Sequence, residues 1–133
     1  HHAHEPVNDQ LRAIHRVLTG TRGAVMALAR IGERLEHAGV GNISTRVLGL
    51  DGVARPLASP AGTLGSVLPR QIHVDDLALQ PGELVVMSSD GLSTRVDLTD
   101  NVAVVRQHPI VVAQHLLGRF ARGTDDAIVA VVR

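Results

Sequence analysis

The strongest constraint on the fold comes from residues 83–91, which have the sequence ELVVMSSDG. Four apolar residues in a row, preceded by the turn-forming pair Pro81-Gly82, predict a buried strand. Asp90 and Gly91 follow where this strand ends. A buried strand holds such a carboxylate rigidly, and a glycine after it lets the backbone turn sharply or approach a ligand. Because hard cations such as Mg²⁺ and Mn²⁺ prefer oxygen ligands, Asp90 is a candidate metal ligand.

A second acidic segment lies near the C-terminus, where Asp125 and Asp126 precede the apolar run 127–132. This run is apolar on both faces, which predicts a strand inside a sheet. A helix is predicted between the two acidic segments, and this connection permits neighbouring strands to bring Asp90 and Asp125 together. Like charges at close range repel in a partly buried site, and a shared cation removes that repulsion. Two metals ~3.5–4 Å apart can position a water for in-line attack at phosphorus.

The N-terminal half has the pattern of one helix followed by antiparallel strands. Residues 6–18 predict a helix capped by Asn8, with an apolar stripe formed by Val7, Leu11, Ile14 and Leu18. The runs 23–31 and 34–40 predict a hairpin that turns at Gly32. Residues 43–48 alternate in polarity, and the Asp51-Gly52 turn leads them into a partner strand at 53–55.

The C-terminal half predicts further strands and a second helix. Residues 57–70 have the pattern of a loop, 72–74 that of a short strand, and Asp75-Asp76 that of a solvated turn. The segment 98–100 is expected to cap a short helix. His108-Pro109 begins a clearer helix, for which we expect one apolar face, formed by Ile110, Ala113, Leu116, Leu117 and Phe120. Near its end, Arg119 and Arg122 suit the helix dipole. These elements predict a single α+β domain, 1–133, with mostly antiparallel sheet and helices packed outside.

Composition excludes several classes of function. Phe120 is the only aromatic residue, so the chain offers no aromatic platform for nucleic-acid bases. The net charge is zero, which argues against nucleic acid or an anionic membrane as a partner. Disulfides and thiolate metal sites are excluded because the chain has no cysteine. No apolar run reaches the ~18 residues of a membrane span, so we expect a cytoplasmic protein.

Several motifs, taken together, resemble those of a known family. Residues 89–91 (SDG) and 124–127 (TDDA) resemble the C-terminal metal motifs of type-2C metal-dependent protein serine/threonine phosphatases. Residues 38–43, 62–65 and 122–126 are most similar to the SpoIIE-like bacterial branch, in particular to its stressosome and anti-sigma-antagonist phosphatases. The similarity extends from about Leu11 to Arg133 and depends on the order and spacing of the motifs, since each motif alone is common.

The resemblance implies a fold, a metal site and a substrate class. The fold is an antiparallel β-sandwich flanked by helices, with a two-metal site for Mn²⁺ or Mg²⁺ that activates water as the nucleophile. Asp90 and Asp125 correspond to metal ligands, and Asp126 to a neighbouring or alternate ligand. Gly91 and the turn formed by Gly39, Gly41 and Asn42 would shape the site. The implied substrate is phosphoserine or phosphothreonine on a regulatory protein, such as an anti-sigma-factor antagonist or a stressosome component.

The chain departs from the family pattern in its first third. The family has an Asp-Gly-x-Gly-His-Gly segment there, whose aspartate bridges both metals, and nothing in this sequence matches it. The chain is therefore expected to be the C-terminal two-thirds of a SpoIIE-like phosphatase domain, incomplete at its N-terminus. Open sheet edges would favour a homodimer.

Three other interpretations compete with an active phosphatase. Residue types alone favour ordinary acidic turns at Asp90 and at Asp125-Asp126. A catalytically inactive binding module of the same signalling class would keep the fold without the chemistry. A metal hydrolase could use His37, His73, His108 or His115 as ligands, although their spacing fits no metal motif.

Overall fold

The computed structural model describes residues 5–92, 95–121, 123 and 128–132. These described residues form two α-helices, a 3-10 helix and seven strands. The helices are α1 (Val7–Leu18), the 3-10 helix (Val102–Arg106) and α2 (Pro109–Phe120). The strands are β1 (Met26–Ile31), β2 (Arg34–Val40), β3 (Ile43–Leu48), β4 (Ala54–Pro56), β5 (Asp75–Ala78), β6 (Leu84–Ser89) and β7 (Val129–Val132).

The strands form two sheets that belong to two compact units. The first unit contains the residues up to Ile43 together with Ala58–Leu79, and its three-stranded sheet has the order β1-β2-β5. The second unit contains Ser44–Leu57 and the residues from Gln80 onward, with a four-stranded sheet in the order β4-β3-β6-β7. The predicted α+β class, with antiparallel sheets and helices, is therefore confirmed.

The core of the first unit forms between α1 and residues of its sheet and loop. Val7 and Leu11 on α1 are buried with residues of β2 and the 57–70 loop, and Ile14 and Leu18 pack against the same cluster. This is the predicted apolar stripe of the helix. The predicted hairpin is also confirmed, since β1 and β2 pair in antiparallel register from Met26–Val40 to Ile31–Leu35.

The core of the second unit is aliphatic and lies between its sheet and α2. Leu48, Leu84, Val112 and Leu116 are all 0% exposed members of one cluster, against which Phe120 packs. Burying a leucine side chain completely contributes about 1.5–3 kcal/mol, so these aliphatic residues contribute much of the stabilisation in a chain with a single aromatic residue. The predicted turn after β3 is confirmed, because Gly52 adopts a φ of +83° and β3 pairs with β4 in antiparallel register.

The predicted cap of α1 is wrong. The helix begins at Val7, and Pro6 at its N-cap makes no side-chain hydrogen bond. The backbone N–H of Val7 instead donates to Oε1 of Glu36 at 3.0 Å, and Glu36 also pairs with Arg30 at 3.2 Å. A carboxylate from β2 thus satisfies an N-terminal donor that Asn8 was expected to satisfy.

The strand predicted at 72–74 is also displaced, because β5 begins at Asp75. Its register places Asp75 opposite His37 of β2. Asp76 lies opposite Glu36, and its carboxylate accepts from Nε of Arg34 at 2.8 Å. The acidic pair was expected in a solvated turn, but cross-strand partners hold it in the sheet.

Two expectations around α2 are corrected. The segment 98–100 does not cap the 3-10 helix, whose N-cap is Asn101; Asp100 instead forms a bidentate ion pair with Arg119. That ion pair lowers the pKa of Asp100 and raises the pKa of Arg119. Ile110 was expected on the buried face of α2 but is 61% exposed, whereas Val112 is fully buried.

The last strand does not occupy the expected interior position. Within the described residues β7 is the outer strand of its sheet, paired only with β6, and its burial alternates along the strand. Arg122, Ala127 and the predicted ligands Asp125 and Asp126 lie outside the described residues. The homodimer expected from open sheet edges stays a prediction. In the described part of the chain, no helix is long and apolar enough to cross a membrane.

Candidate functional site

The predicted site begins where β6 leaves the core of the second unit. Leu84, Val85 and Val86 are at most 1% exposed, which fixes the strand in the sheet. Ser88 is 3% exposed, and its hydroxyl accepts a hydrogen bond from Nη1 of Arg46 at 3.4 Å. The strand therefore ends in a hydroxyl group that is tied to a neighbouring strand.

Arg46 is a buried cation that no motif in the sequence marks. It lies on β3, is 5% exposed, and burial lowers the pKa of its guanidinium below the ordinary value. A guanidinium remains charged in proteins, so the second unit carries a fixed positive charge beside the end of β6. The polarity pattern of residues 43–48 predicted a strand but contains no signal that this arginine is buried.

Ser89 joins the end of β6 to the start of β7 by two hydrogen bonds. Its backbone N–H donates to the carbonyl oxygen of Ile128 at 3.0 Å, and its hydroxyl accepts from the backbone N–H of Ile128 at 2.9 Å. The β6–β7 register continues this pairing from Ser88–Val129 inward. The residues that follow Asp125-Asp126 in the sequence are thus fixed against the residue that precedes Asp90.

Asp90 and Gly91 form the turn that follows. The N–H of Leu92 donates to the carbonyl oxygen of Ser89 at 3.4 Å, which closes the turn. Gly91 is buried and Asp90 is exposed. Leu92 then forms an antiparallel bridge with Ala121, the residue that follows α2.

These contacts hold both flanks of the second acidic segment at one turn. Ala121 precedes residues 122–127 and pairs with Leu92, and Ile128 follows them and bonds to Ser89. Asp90 lies between these two anchor points in the sequence. Asp125 and Asp126 lie outside the described residues, so their contact with Asp90 stays a prediction.

The carboxylate of Asp90 has the chemistry of a ligand for a hard cation. It is exposed at the end of a buried strand, and no group among the described residues donates a hydrogen bond to it or pairs with it. The hydroxyls of Ser88 and Ser89 are occupied by Arg46 and Ile128. Residues 5–92, 95–121, 123 and 128–132 contain no cluster of three carboxylates and imidazoles that could hold a metal. Asp90 therefore fits one position of a metal site whose other predicted ligands are not described.

Gly39, Gly41 and Asn42 belong to the first unit. A Cβ on Gly39 would lie 3.1 Å from Oγ of Ser59, and Gly41 needs its φ of +93°. Gly41 is held by the 57–70 loop, because its N–H donates to Pro60 at 2.8 Å and its carbonyl accepts from Ser59 at 2.7 Å. Asn42 is exposed. Glycine is thus required at position 41 by its backbone conformation, whereas a side chain at position 39 would press on Ser59. The role of this turn in shaping a metal site stays a prediction.

Two of the histidines considered as metal ligands share one carboxylate instead. Nδ1 of His37 and Nε2 of His73 each lie 3.2 Å from an oxygen of Asp75, which also accepts from the N–H of Ala58. His37 is 0% exposed, and its Nε2 has no hydrogen-bond partner within the described part of the chain. Desolvation by burial lowers the pKa of His37, partly opposed by its bond to Asp75. His108 caps α2 by accepting from the N–H of Ile110.

Comparison with known proteins shows similarity at the level of structure. No protein-family model matches the sequence, and no curated protein matches it. One similar structure comes from the bacterial stressosome, described as a modular system adapted to control secondary messenger signaling. It is 29% identical with a TM-score of 0.80, covering 96% of this chain and 67% of that one.

Two further structures share the fold at lower identity. RsbX in complex with magnesium is 16% identical with a TM-score of 0.72, covering 96% of this chain and 63% of that one. The manganese-soaked phosphatase domain of the cell fate determinant SpoIIE from Bacillus subtilis is 19% identical with a TM-score of 0.58. The match covers 98% of this chain and 66% of that one.

The fold and its neighbours define a structural class. The chain has a type-2C phosphatase-like fold of the SpoIIE kind, as the motifs indicated. It spans roughly two thirds of the length of these neighbours.

Proposed function

We propose that the chain acts as a metal-dependent protein serine/threonine phosphatase of the SpoIIE-like type. Two observations of different kinds support this proposal. The fold is similar to that of a phosphatase domain soaked with manganese and to that of RsbX bound to magnesium. The second observation, the one that carries the proposal, is that Ser89 and Leu92 anchor both flanks of the acidic segment 122–127 on either side of Asp90.

The anchoring matters because metal affinity depends on prearranged ligands. Six residues connect Ala121 with Ile128, so Asp125 and Asp126 belong to a short segment tied at both ends. A short closed loop loses less entropy when it supplies a ligand than a free chain end does. We assign Asp90 and Asp125 as the carboxylates that hold a divalent cation, with Asp126 as a neighbouring or alternate ligand.

The residues of the chain have distinct roles in this proposal. Mn²⁺ or Mg²⁺, when bound, would supply Lewis-acid polarisation of the phosphoryl group and activation of water. Asp90 would hold the cation, Gly91 is the buried residue that follows it in the turn, and Ser89 fixes the spacing between the two acidic segments. Arg46 supplies a buried positive charge beside Ser88, which favours the accumulation of negative charge at this end of the sheet.

The resemblance of the motifs and one of the similar structures support a choice of substrate class. We propose phosphoserine or phosphothreonine on a bacterial regulatory protein, either an anti-sigma-factor antagonist or a stressosome component. The similarity to a stressosome structure supports this choice over an unrelated phosphoprotein.

The proposal is tested by hydrolysis of p-nitrophenyl phosphate as a function of Mn²⁺ concentration. We expect turnover by the chain to require the metal and to be lost in Asp90→Asn. Asp51→Asn is a matched control, because Asp51 also precedes a turn glycine in the second unit and, among the described residues, its Oδ1 accepts only from the N–H of Val53. Asp51→Asn should keep full activity.

A thermal melt separates loss of metal binding from loss of folding. A ligand that binds only the native state adds about 2.7 kcal/mol when present at 100 times its dissociation constant. Mn²⁺ should therefore raise the midpoint of the wild type but not that of Asp90→Asn. If Mn²⁺ leaves the wild-type midpoint unchanged, the acidic segments are ordinary turns. Stable folding and partner binding without turnover would instead indicate an inactive binding module.

A further inference from the structure

The first unit contains an open cleft of about 700 Å³ that is separate in sequence from the acidic segments. Its polar lining consists of Asn8, Arg12, Ser59, Gln71 and His73. Ile72, Pro60 and Val74 supply the apolar part of the lining. A cleft of this size accommodates more than a single small ion, since ligand pockets commonly measure about 300–1,000 Å³.

The described lining of the cleft carries one positive side chain, and the carboxylate of Asp75 lies behind the lining against Ala58 and His73. Arg12 lines the cleft, and no Asp or Glu is among the described residues that do so. The guanidinium of Arg12 has no hydrogen bond or ion pair with any described residue, unlike Arg30 and Arg34 of the same unit, which pair with carboxylates. An arginine that lacks a partner in a concave site favours an anion.

Asn8 and Gln71 add hydrogen-bond donors that are also available. Asn8 is four residues before Arg12 on α1, so the two side chains lie on the same side of the helix. Neither amide side chain bonds to another residue in the part of the chain that the structure describes. Each amide offers two N–H donors, and the guanidinium offers five.

His73 is held in place from behind. Its Nε2 is bonded to Asp75, which is in turn bonded by the buried His37 and the N–H of Ala58. The side chain of Asp75 is only 17% exposed, so it positions His73 without lining the cleft itself. Because Nε2 donates to the carboxylate of Asp75, Nδ1 of the neutral His73 ring is an acceptor, so His73 contributes shape to the cleft rather than a donor.

We propose that this cleft binds a phosphoryl group. Asn8, Arg12 and Gln71 place donors on one concave surface, and none of the three side chains has a partner among the described residues. A tetrahedral dianion with at least three free oxygens can accept from all three side chains, whereas a carboxylate has only two oxygens. The apolar lining accommodates the organic part of a phosphorylated molecule. This inference does not depend on the proposed catalytic function, since none of its residues belongs to the candidate metal site.

The test is a binding titration of the intact chain in EDTA, so that no divalent metal contributes. The probes are inorganic phosphate, a short peptide with one phosphoserine, the same peptide unphosphorylated, and acetate. Binding is followed by NMR shifts of the backbone amides of residues 58–59 and 71–74. We expect phosphate and the phosphopeptide to shift these amides. Tighter binding of the phosphopeptide would identify a protein-borne phosphoryl group, and equal binding would identify a free anion.

Two variants on α1 make the test specific. Arg12→Gln should weaken phosphate binding about ten-fold, because it removes a charge-assisted hydrogen bond. Arg16→Gln is the matched control, because Arg16 lies one turn further along α1, is exposed and does not line the cleft. The phosphate affinity of this variant should stay within two-fold of that of the wild type.

Three results would overturn the inference. They are no shift at millimolar phosphate, equal binding of acetate and phosphate, and equal weakening by Arg12→Gln and Arg16→Gln. The outcome is independent of the phosphatase proposal, because Asp90→Asn should retain cleft binding and Arg12→Gln should retain p-nitrophenyl phosphate turnover. Cleft binding in a chain without turnover would refute only the catalytic proposal.

Discussion

Replacing the buried His37 by glutamine should remove a pH dependence from the stability of the fold. His37 is 0% exposed, and burial lowers its pKa below the ordinary value of about 6.5. As the pH falls, the unfolded chain therefore takes up the proton on this residue before the folded chain does. The stability that depends on neutral His37 is fully present above about pH 6.5 and is lost as the pH falls below it.

The size of the effect is set by one proton. In the pH range where only the unfolded chain binds this proton, the free energy of unfolding falls by up to about 1.4 kcal/mol for each unit by which the pH is lowered. The bond to Asp75 reduces this slope because it favours the protonated ring. His37→Gln retains a donor for Asp75 and cannot titrate, so its free energy of unfolding should vary less with pH below 6.5 than that of the wild type.

The assay is urea unfolding at a series of pH values. Far-ultraviolet circular dichroism is the suitable signal, because the chain has no tryptophan or tyrosine. Arg34→Gln on the same strand is the control, since an arginine stays charged across this range and its removal should leave the slope between about pH 5 and 7 unchanged.

A direct titration of the wild type complements the variants. The NMR resonance of the His37 ring should titrate below about pH 6.5. A resonance that titrates above this value would refute the lowered pKa of His37. The same slope of unfolding free energy against pH in the wild type and His37→Gln would also refute it. The NMR measurement decides the question even if the variant fails to fold.

Two further predictions concern the second unit. Leu116→Ala should lower the free energy of unfolding by about 2–5 kcal/mol because Leu116 is 0% exposed in the core. Ile110→Ala on the same helix is the control and should change the free energy of unfolding by less than about 0.5 kcal/mol. Similar losses for the two variants in urea unfolding would contradict the observed orientation of α2. Ser89→Ala removes the acceptor for the exposed N–H of Ile128, so it should cost less than about 1.5 kcal/mol of stability. The same variant should weaken the apparent Mn²⁺ affinity in the phosphatase assay while Ser66→Ala on an exposed loop does not; an unchanged Mn²⁺ dependence would separate the Ser89 anchor from metal binding.

Much of the candidate site could be anticipated because its signals are local. The apolar run of β6 is followed at once by Asp90 and Gly91, so both the strand and the carboxylate at its end are visible in nine residues. The pairing of β6 with β7 could only be expected as one of several arrangements. The bonds between Ser89 and Ile128 depend on register, and register is decided by the packing of both strands in the sheet.

The buried polar contacts could not be predicted in the same way. Arg46 and Ser88 are 42 residues apart, and His37 and Asp75 are 38 residues apart. No local pattern marks either pair, because a charged residue in a strand usually faces solvent. The adjacent acids at 75–76 were expected in a turn for this reason, although cross-strand partners place them in β5.

The sequence by itself determined the aliphatic core, the order of helices and strands, and the position of Asp90 at the end of a buried strand. These features follow from apolar periodicity and turn residues, which act over a few neighbouring positions. The tertiary structure alone decided that Glu36 accepts a hydrogen bond from the first N–H of α1 and that Val112 rather than Ile110 faces the core. It also decided that both flanks of the second acidic segment contact the turn at Asp90. Such contacts join residues far apart in the chain, and their free energy depends on how completely the folded units exclude water.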